Sequence, residues 1–374
     1  MEITTIGIDL AKSVFALSCG NARGDVVERK MLKRAQLLAY LATLKPCVVG
    51  LEACGGAHHW ARALGALGHQ VKLMSPALVA PYRKGPKHDR NDADAILEAV
   101  TRPTMRWVAP KSVAQQDLLE LHRVRTRRLK QRIALSNQIR ALLHERGIVG
   151  RVGADGLRAA VKAALADERN ELSPAMRELL GELMAELRAV EARLQTVHQR
   201  IVELARGDER CRRLCEVKGV GALTATALVA AVGDAREFKS GRELSAYLGL
   251  VPRQHCSGGK LRLLGITKHG DRYLRTLLIH GARSVLYGKQ RAAHPRAAWM
   301  TRLMAARGPN LAAVALANHN ARVLWVLLSR GDRYRPDAHR PPPAVFRHAP
   351  SSAGAAVRRV RGEKLLNPKN RLSR

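Results

Sequence analysis

Residues 4–10, Thr-Thr-Ile-Gly-Ile-Asp-Leu, form an apolar run that predicts a short β-strand ending near the carboxylate of Asp9. Residues 13–19 and 26–33 follow it between turn signals of Gly, Asn and Asp, and together the three predict a meander. Residues 48–52, Val-Val-Gly-Leu-Glu, form another apolar run that ends on an acid, Glu52. A carboxylate flanked by Ile and Leu in a sheet carries a desolvation cost that a bound cation would offset.

The fold class predicted from the whole pattern is α/β plus all-α. After the meander, the candidates are helices at 35–44, 58–67 and 91–101 and strands at 48–52 and 70–74. Three strands followed by αβαβα is the order of an RNase H-like (RuvC-like) domain. This domain is predicted to occupy residues 1–110.

Residues 87–94, Lys-His-Asp-Arg-Asn-Asp-Ala-Asp, add acids to the set. Asp89 and Asp92 lie on one face if both are helical, whereas Asp94 points away from it. With Asp9 and Glu52 they would raise one another's pKa and repel unless divalent metal lies among them. Two Mg²⁺ ions about 4 Å apart, with Mn²⁺ as the alternative, would suit phosphodiester chemistry. Each acid alone also has an ordinary explanation, as the end of a strand, a helix N-cap or a first-turn residue.

The charge balance predicts a nucleic-acid partner. Lys and Arg number 65 against 31 acidic residues, a formal net charge of +34, and such a chain repels itself unless a polyanion neutralises it. The N-terminus lacks a signal-peptide pattern, and we expect no apolar run long enough to span a bilayer. We therefore expect no membrane partner, a cytoplasmic, nucleoid-associated location, and six reduced Cys without structural zinc.

The middle of the chain, residues 111–206, predicts two long helices. Residues 112–146 have helical apolar spacing with Arg and Lys between, and Arg125 and Arg128 are candidate nucleic-acid contacts. The alternative is a merely solvated helix face. Residues 174–206 carry a heptad run, which predicts either an antiparallel hairpin or an intermolecular coiled coil.

Residues 216–226 resemble a helix-hairpin-helix turn. Lys218, Gly219 and Gly221 are candidate nucleic-acid contacts, because glycines let the backbone approach phosphate and the next helix presents free N–H groups. A plain tight turn between packed helices would have the same sequence.

Residues 249–260, Gly-Leu-Val-Pro-Arg-Gln-His-Cys-Ser-Gly-Gly-Lys, place Ser257 before two glycines, on what we expect to be an open loop. Candidate phosphate contacts around it are Arg253, Lys260, Arg262 and Lys268. His255 is a candidate base, and Asp271 is predicted to cap a helix that begins at Arg272. By composition alone, Ser257 is equally an ordinary turn serine. The serine-bearing region is predicted over 207–330, and a basic, Pro-rich disordered tail over 331–374.

Over about residues 1–330 the sequence resembles the DEDD transposases of bacterial insertion sequences, which are bridge-RNA-guided recombinases. The resemblance rests on residues 7–9, 51–53, 87–93 and 249–275. It implies that Asp9, Glu52, Asp89 and Asp92 are the metal-binding set of a RuvC-like domain.

The resemblance also implies that Ser257 is a nucleophile that forms a covalent phosphoserine link to DNA. Family members act on donor and target DNA with a structured bridge RNA, in a dimer or tetramer in which one subunit's RuvC-like domain faces another's serine domain. Cys256 stands where many relatives have Ser, and Leu263, Leu264 and His269 are local variations.

Two other functions remain open from the residues alone. One is a metal-dependent RuvC-like junction nuclease, in which the carboxylates act alone and Ser257 is structural. The other is a non-enzymatic architectural DNA-binding protein, against which the placement of Asp9 and Glu52 argues, because unneutralised acids weaken phosphate binding.

Overall fold

The computed structural model describes residues 2–336 of the chain. The strands in this range are β1 Thr5–Asp9, β2 Val14–Gly20, β3 Val26–Lys33, β4 Val48–Glu52, β5 Gln70–Met74, β6 Trp107–Val108, β7 Pro252–Ser257 and β8 Lys260–Ile266. The α-helices are α1 Leu37–Ala42, α2 Ala57–Ala66, α3 Pro76–Val79, α4 Asp89–Val100, α5 Val113–His144, α6 Ala154–Ala166, α7 Pro174–Gly207, α8 Glu209–Cys215, α9 Ala222–Val232, α10 Gly241–Tyr247, α11 Arg272–Tyr287, α12 Ala297–Arg307 and α13 Pro309–Arg330.

The first part of the chain forms a mixed six-stranded sheet in the order β3-β2-β1-β4-β5-β6. Strands β1 to β3 are antiparallel, which confirms the predicted meander, and β1, β4 and β5 are parallel. The short strand β6 joins the edge antiparallel to β5 and was not predicted. The rest of this region alternates helix and strand in the predicted order.

Helices cover both faces of this sheet. On one face Ile6, Ile8 and Leu51 are fully buried in a cluster that includes α1 and α2, where Trp60 packs edge-on against Phe15. On the other face α4 lies across β1, β2 and β4. Both apolar faces of the central strands are therefore removed from water, which is the main stabilising contribution to this region.

The central helices form an antiparallel hairpin within one chain. Helix α5 packs along α7, and α6, which the sequence analysis missed, closes the far end. Of the apolar residues that carry the heptad run, Leu187, Val190 and Ile201 are buried, Leu183, Leu194 and Val197 are partly buried, and Leu179 is exposed. Of the two arrangements that the heptads allowed, the chain has the internal hairpin, in which Leu187, Val190 and Ile201 are buried within the same chain.

The remainder, up to residue 336, is mostly helical around one large core. Helix α13 passes through it against α8, α10, α11 and α12. The expectation that no apolar run is long enough to span a bilayer is wrong by length and composition, because α13 has 22 residues and is apolar enough to do so. Its side chains Leu316 and Leu324 are nevertheless fully buried. The buried core helix of a soluble protein can have the same length and apolar composition, so α13 is weak evidence for a membrane span.

Two further predictions concern the tail and the cysteines. The tail predicted from residue 331 lies outside the described residues from 337 onward. All six Cys are free, as expected for reduced thiols; Cys19, Cys47 and Cys211 are buried, whereas the other three are exposed.

Candidate functional site

Two neighbouring parallel strands place Asp9 and Glu52 at the same edge of the sheet. Strand β1 pairs with β4 in the register Ile8↔Leu51, so the acids that follow these residues occupy adjacent positions. Both acids are partly exposed, whereas Ile8 and Leu51 are fully buried. The side chains therefore lie where the apolar sheet interior ends and solvent begins.

Helix α4 brings the other two acids to this edge because glycines let it lie close to the strands. A Cβ on Gly7 would be 2.4 Å from the backbone nitrogen of Leu97, and one on Gly50 would be 2.9 Å from Cβ of Val100. Asp89 and Asp92 occupy the first turn of α4. The N-cap is His88, whose Nδ1 accepts a hydrogen bond from the Arg90 backbone N–H, so the capping explanation of Asp89 does not hold.

The four carboxylates are close enough to disturb one another's ionisation. Burial, followed by the charges of Asp92, Asp89 and Glu52, raises the pKa of Asp9 to about 6, although Lys87 acts in the opposite direction. Burial and the charge of Asp92 also raise the pKa of Glu52. The structure thus brings together the four acids that the sequence analysis selected from three separate stretches.

Asp94 lies outside this group, as predicted. Its carboxylate accepts hydrogen bonds from the hydroxyl of buried Ser18 at 2.6 Å and from Arg29. Burial alone would raise the pKa of Asp94, but the hydrogen bonds from Arg29 and Ser18 lower it below the usual value. This acid therefore ties α4 to β2 and β3.

Two cations that the sequence analysis did not single out face the acids. Arg83 donates from Nη1 to Oδ1 of Asp92 at 3.2 Å and also lowers the pKa of Glu52. Lys87 lowers the pKa of both Asp9 and Glu52. Both lie in Arg83-Lys84-Gly85-Pro86-Lys87, directly before the acidic motif, but this basic run does not show by itself which of its cations meet the acids.

The chemistry of the acids fits a divalent ion, since carboxylate oxygens are the ligands that Mg²⁺ and Mn²⁺ take in proteins. Among residues 2–336, however, no three Asp, Glu, His or Cys side chains stand at the spacing that encloses a metal ion. The acids converge without forming a closed set of ligands, and one of them, Asp92, is paired with Arg83.

Ser257 lies at the turn of an antiparallel hairpin formed by β7 and β8, where an open loop was expected. Gly258 and Gly259 make the two-residue turn with φ of 54° and 74°, a conformation that suits glycine and fits the twist of a hairpin. Every residue from 252 to 265 is exposed. The hydroxyl is thus accessible and is not buried against the acids of its own chain.

The register of the hairpin separates two faces. Ser257 is opposite Lys260 and His255 is opposite Arg262, so these four residues share one face. Cys256 with Leu261, and Gln254 with Leu263, lie on the other. A nucleophile, an imidazole and two cations therefore project to the same side.

The other candidate contacts near the hairpin lie at its base. Arg253 falls at an irregularity between Pro252 and Gln254. Lys268 has a φ of 58°, a left-handed conformation that is uncommon for a residue with a side chain, and its backbone N–H donates to Gly249 at 3.2 Å. Asp271 caps α11 as predicted, by accepting from the Leu274 N–H at 3.0 Å.

The turn around Lys218, predicted as helix-hairpin-helix-like, lies between α8 and α9. Gly219, at φ 87°, is explained by packing, since an added Cβ would be 2.7 Å from the carbonyl oxygen of Gly281 in α11. Gly221 precedes α9 and has open space where a Cβ would lie. The carbonyl of Lys218 accepts from Asn320 at 3.1 Å, which fixes the turn on α13.

On the long basic helix, Arg125 and Arg128 are partly buried, whereas Arg123, Arg127 and Lys130 are exposed. The exposed set is better placed for a phosphate than the predicted pair. Nearby His122 is almost fully buried and bonds both Tyr273 at 2.9 Å and Thr226 at 3.0 Å. This buried network joins α5 to α9 and α11.

Comparisons with known protein families match two separate stretches of the chain. Residues 6–147 match the DEDD transposase model of the IS110 group, and residues 211–297 match the family described as "Transposase IS116/IS110/IS902 family". The chain is 48% identical over 337 residues to the "Probable family 20 transposase" of Pseudomonas aeruginosa, covering 90% of this chain and all of that protein. It is 43% identical to the "Transposase for insertion sequence element IS1111A" of Coxiella burnetii, over 89% of this chain and 92% of that one. It is 38% identical to the "Transposase for insertion sequence element IS1328" of Yersinia enterocolitica, over 88% and 98%.

Proposed function

The chain belongs to the IS116/IS110/IS902 family of insertion-sequence transposases, and on this premise we propose that it cuts and rejoins DNA through a serine nucleophile assisted by divalent metal. The observation that carries the proposal is the convergence of four carboxylates at one sheet edge in a protein of net charge +34. Such a cluster would repel DNA unless a cation neutralised it. Family membership establishes a DNA transposase, and the roles of individual residues are our inference.

We infer an RNase H-like (RuvC-like) fold for the first domain, supported by a sheet with three antiparallel strands followed by parallel ones. In it Asp9, Glu52, Asp89 and Asp92 would hold the metal, with Mg²⁺ as the expected ion. When bound, divalent metal stabilises the attacking and leaving oxygens of a phosphodiester. The acids would hold the ions, and exposed Lys87, which lowers the pKa of Asp9 and Glu52, would be available to a DNA phosphate.

Ser257 would supply the nucleophile. Its Oγ attacks the phosphorus of the scissile phosphodiester, a serine–phosphorus ester forms, one bridging P–O bond breaks, and the released strand oxygen takes a proton. His255 shares the hairpin face and is the candidate acceptor of the Ser257 proton. A second strand's hydroxyl then attacks the phosphoserine, which restores Ser257 and rejoins DNA.

Lys260 and Arg262 lie on the same face and would bind the non-bridging oxygens of the attacked phosphate. Because the whole hairpin is exposed in the single chain, we infer that it enters the reaction centre of a neighbouring copy. Assembly would use surfaces other than the buried heptad residues; Val124 and Ile133 are exposed apolar residues of α5.

A structured bridge RNA is the proposed second polyanion. The support is a cationic excess that includes exposed Arg123, Arg127 and Lys130 of α5, away from the hairpin and the acid cluster, where phosphates of a second nucleic acid could bind. Charge alone serves RNA and DNA equally.

The direct experiment compares full-length wild type with Ser257→Ala on a DNA duplex from the flank of the gene, with RNA transcribed from that flank and Mg²⁺. Ser257→Ala should lower a denaturant-resistant protein–DNA adduct by about 1,000-fold or more, because no other group replaces the nucleophile. Cys256→Ala, on the opposite hairpin face, is the matched control and should stay within about twofold.

Strand cleavage that persists in Ser257→Ala without an adduct would instead support a nuclease that uses the carboxylates alone. Unchanged DNA cleavage in Asp9→Asn would remove the metal-binding role of the acids.

A further inference from the structure

Arg83 forms an ion pair with Asp92, one of the four acids to which the proposed function assigns metal binding. It follows the short 3₁₀ turn Ala80–Tyr82, and its guanidinium donates to Oδ1 of Asp92 at 3.2 Å. The Asp92 side chain is only 16% exposed, while that of Arg83 is 35% exposed, so the acid lies inside the site and the arginine reaches in from its rim.

The pair uses an oxygen that a metal ion would need. A carboxylate oxygen bound to a guanidinium offers fewer lone pairs, and the positive charge beside it repels a second cation. Among the described residues no three acidic, His or Cys side chains already enclose a metal ion, although four acids converge. The arginine and a divalent ion are therefore competitors for the same acid.

The backbone around Arg83 is held in place, and the Arg83 side chain is partly open to solvent. Gly85 adopts φ 88°, and the Asn91 side chain donates to the Pro86 carbonyl at 2.9 Å, which fixes this loop against the start of α4. Lys84, Lys87 and Arg90 are exposed around it. A nucleic-acid strand drawn to these cations would bring a phosphate within reach of the guanidinium.

We propose that Arg83 is a positioning residue that gates the metal site: it pairs with Asp92 when no nucleic acid is bound and transfers to a backbone phosphate when DNA arrives. Phosphate accepts two parallel hydrogen bonds from a guanidinium and competes well with one carboxylate oxygen. Transfer frees Asp92 for metal. DNA and metal then bind cooperatively, each raising the affinity for the other by the same factor. This inference rests on the proposed metal-binding role of the acids.

The test measures Mn²⁺ binding to the full-length protein by titration calorimetry, with and without a saturating DNA duplex. Arg83→Gln removes the competitor, so it should bind Mn²⁺ about tenfold more tightly than wild type without DNA. In wild type, DNA should raise the Mn²⁺ affinity by a similar factor, and in Arg83→Gln this enhancement should fall to near one. Arg90→Gln is the matched control, because it removes one exposed cation near the site, in the first turn of α4, without breaking the ion pair.

The outcomes separate this inference from the proposed function. If Asp9→Asn loses Mn²⁺ binding but Arg83→Gln binds no more tightly than wild type and Arg90→Gln, the acids bind metal and the gate is wrong. An equal enhancement by DNA in wild type and Arg83→Gln also overturns the gate. If wild type binds no Mn²⁺ even with DNA, or Asp9→Asn binds as wild type does, both the metal site and its gate are wrong.

Discussion

Asp9 combines two environments that oppose ionisation. It follows the fully buried Ile8 on a central strand, and three other acids face it. Together they raise its pKa to about 6. An acid in this position is a cost to folding at neutral pH, so its presence is easier to understand as a requirement of function than of stability.

Replacing Asp9 with Asn should therefore stabilise the metal-free protein at pH 7. Because the pKa of Asp9 is raised to about 6 in the folded state, the folded protein holds this proton more tightly than the unfolded chain does. The stability that wild type gains from the protonated carboxyl is complete below about pH 4 and is lost as the pH rises through 6. Because Asp9 is partly exposed, screening by solvent reduces the expected gain to about 1 kcal/mol.

Thermal unfolding with a chelator at pH 4 and pH 7 measures this effect. Asp9→Asn and wild type should unfold together at pH 4, and the variant should be the more stable at pH 7. A difference of the same size at both pH values would contradict an ionisation effect.

At this scale the sequence predicted the acids but not their counter-ions. Asp9 and Glu52 were identifiable because each ends an apolar run, where a carboxylate is out of place. Arg83 belongs to a stretch rich in Lys and Arg in a chain full of them, and only the fold shows which cation meets Asp92.

Among the elements, the turn at Gly219 and helix α11 cross in direct backbone contact. A Cβ on Gly281 would be only 1.8 Å from the carbonyl oxygen of Gly219. Both sides of this contact are backbone, so neither can yield by changing a rotamer. The glycines serve helix packing, although the turn also presents Lys218.

Gly281→Ala should destabilise the protein by about 3 kcal/mol or more, because the backbones must separate and the core around α9 and α11 must open. Gly181→Ala is the matched control: this residue is also helical, in α7, but has open space around its Cβ position. It should stabilise by up to about 1 kcal/mol through helix propensity. Chemical denaturation measures both, and a Gly281→Ala protein as stable as wild type would contradict the contact.

Long elements were predictable and the hairpin was not. Helices α5 and α7 have more than 30 residues each, so the helical spacing of their apolar residues is easy to recognise in the sequence. The hairpin has two exposed strands without a buried face, so its sequence lacks the alternation that marks a strand at an apolar core. Its Gly258-Gly259 turn was visible, but we interpreted it as an open loop.

At the scale of the whole molecule, the charge and the exposed hairpin point to a chain that completes its site only with partners. The net charge of +34 predicted nucleic acid from the sequence alone. The proposed meeting of one copy's hairpin with another copy's acids depends on contacts between copies, which neither periodicity nor composition predicts. The heptads illustrate this limit, because their pattern allowed two pairings and the fold uses the internal one.

A reaction centre shared between copies is tested most directly by mixing two full-length variants that are inactive alone. Tagged Asp9→Asn keeps Ser257, and Ser257→Ala keeps all four acids. After incubation with DNA, flank RNA and Mg²⁺, mass spectrometry identifies the chain that carries DNA. A shared centre predicts that the mixture forms the adduct, on Ser257 of the tagged Asp9→Asn chain. A mixture without adduct, under conditions in which wild type forms it and both variants are folded and mixed in one oligomer, would contradict it.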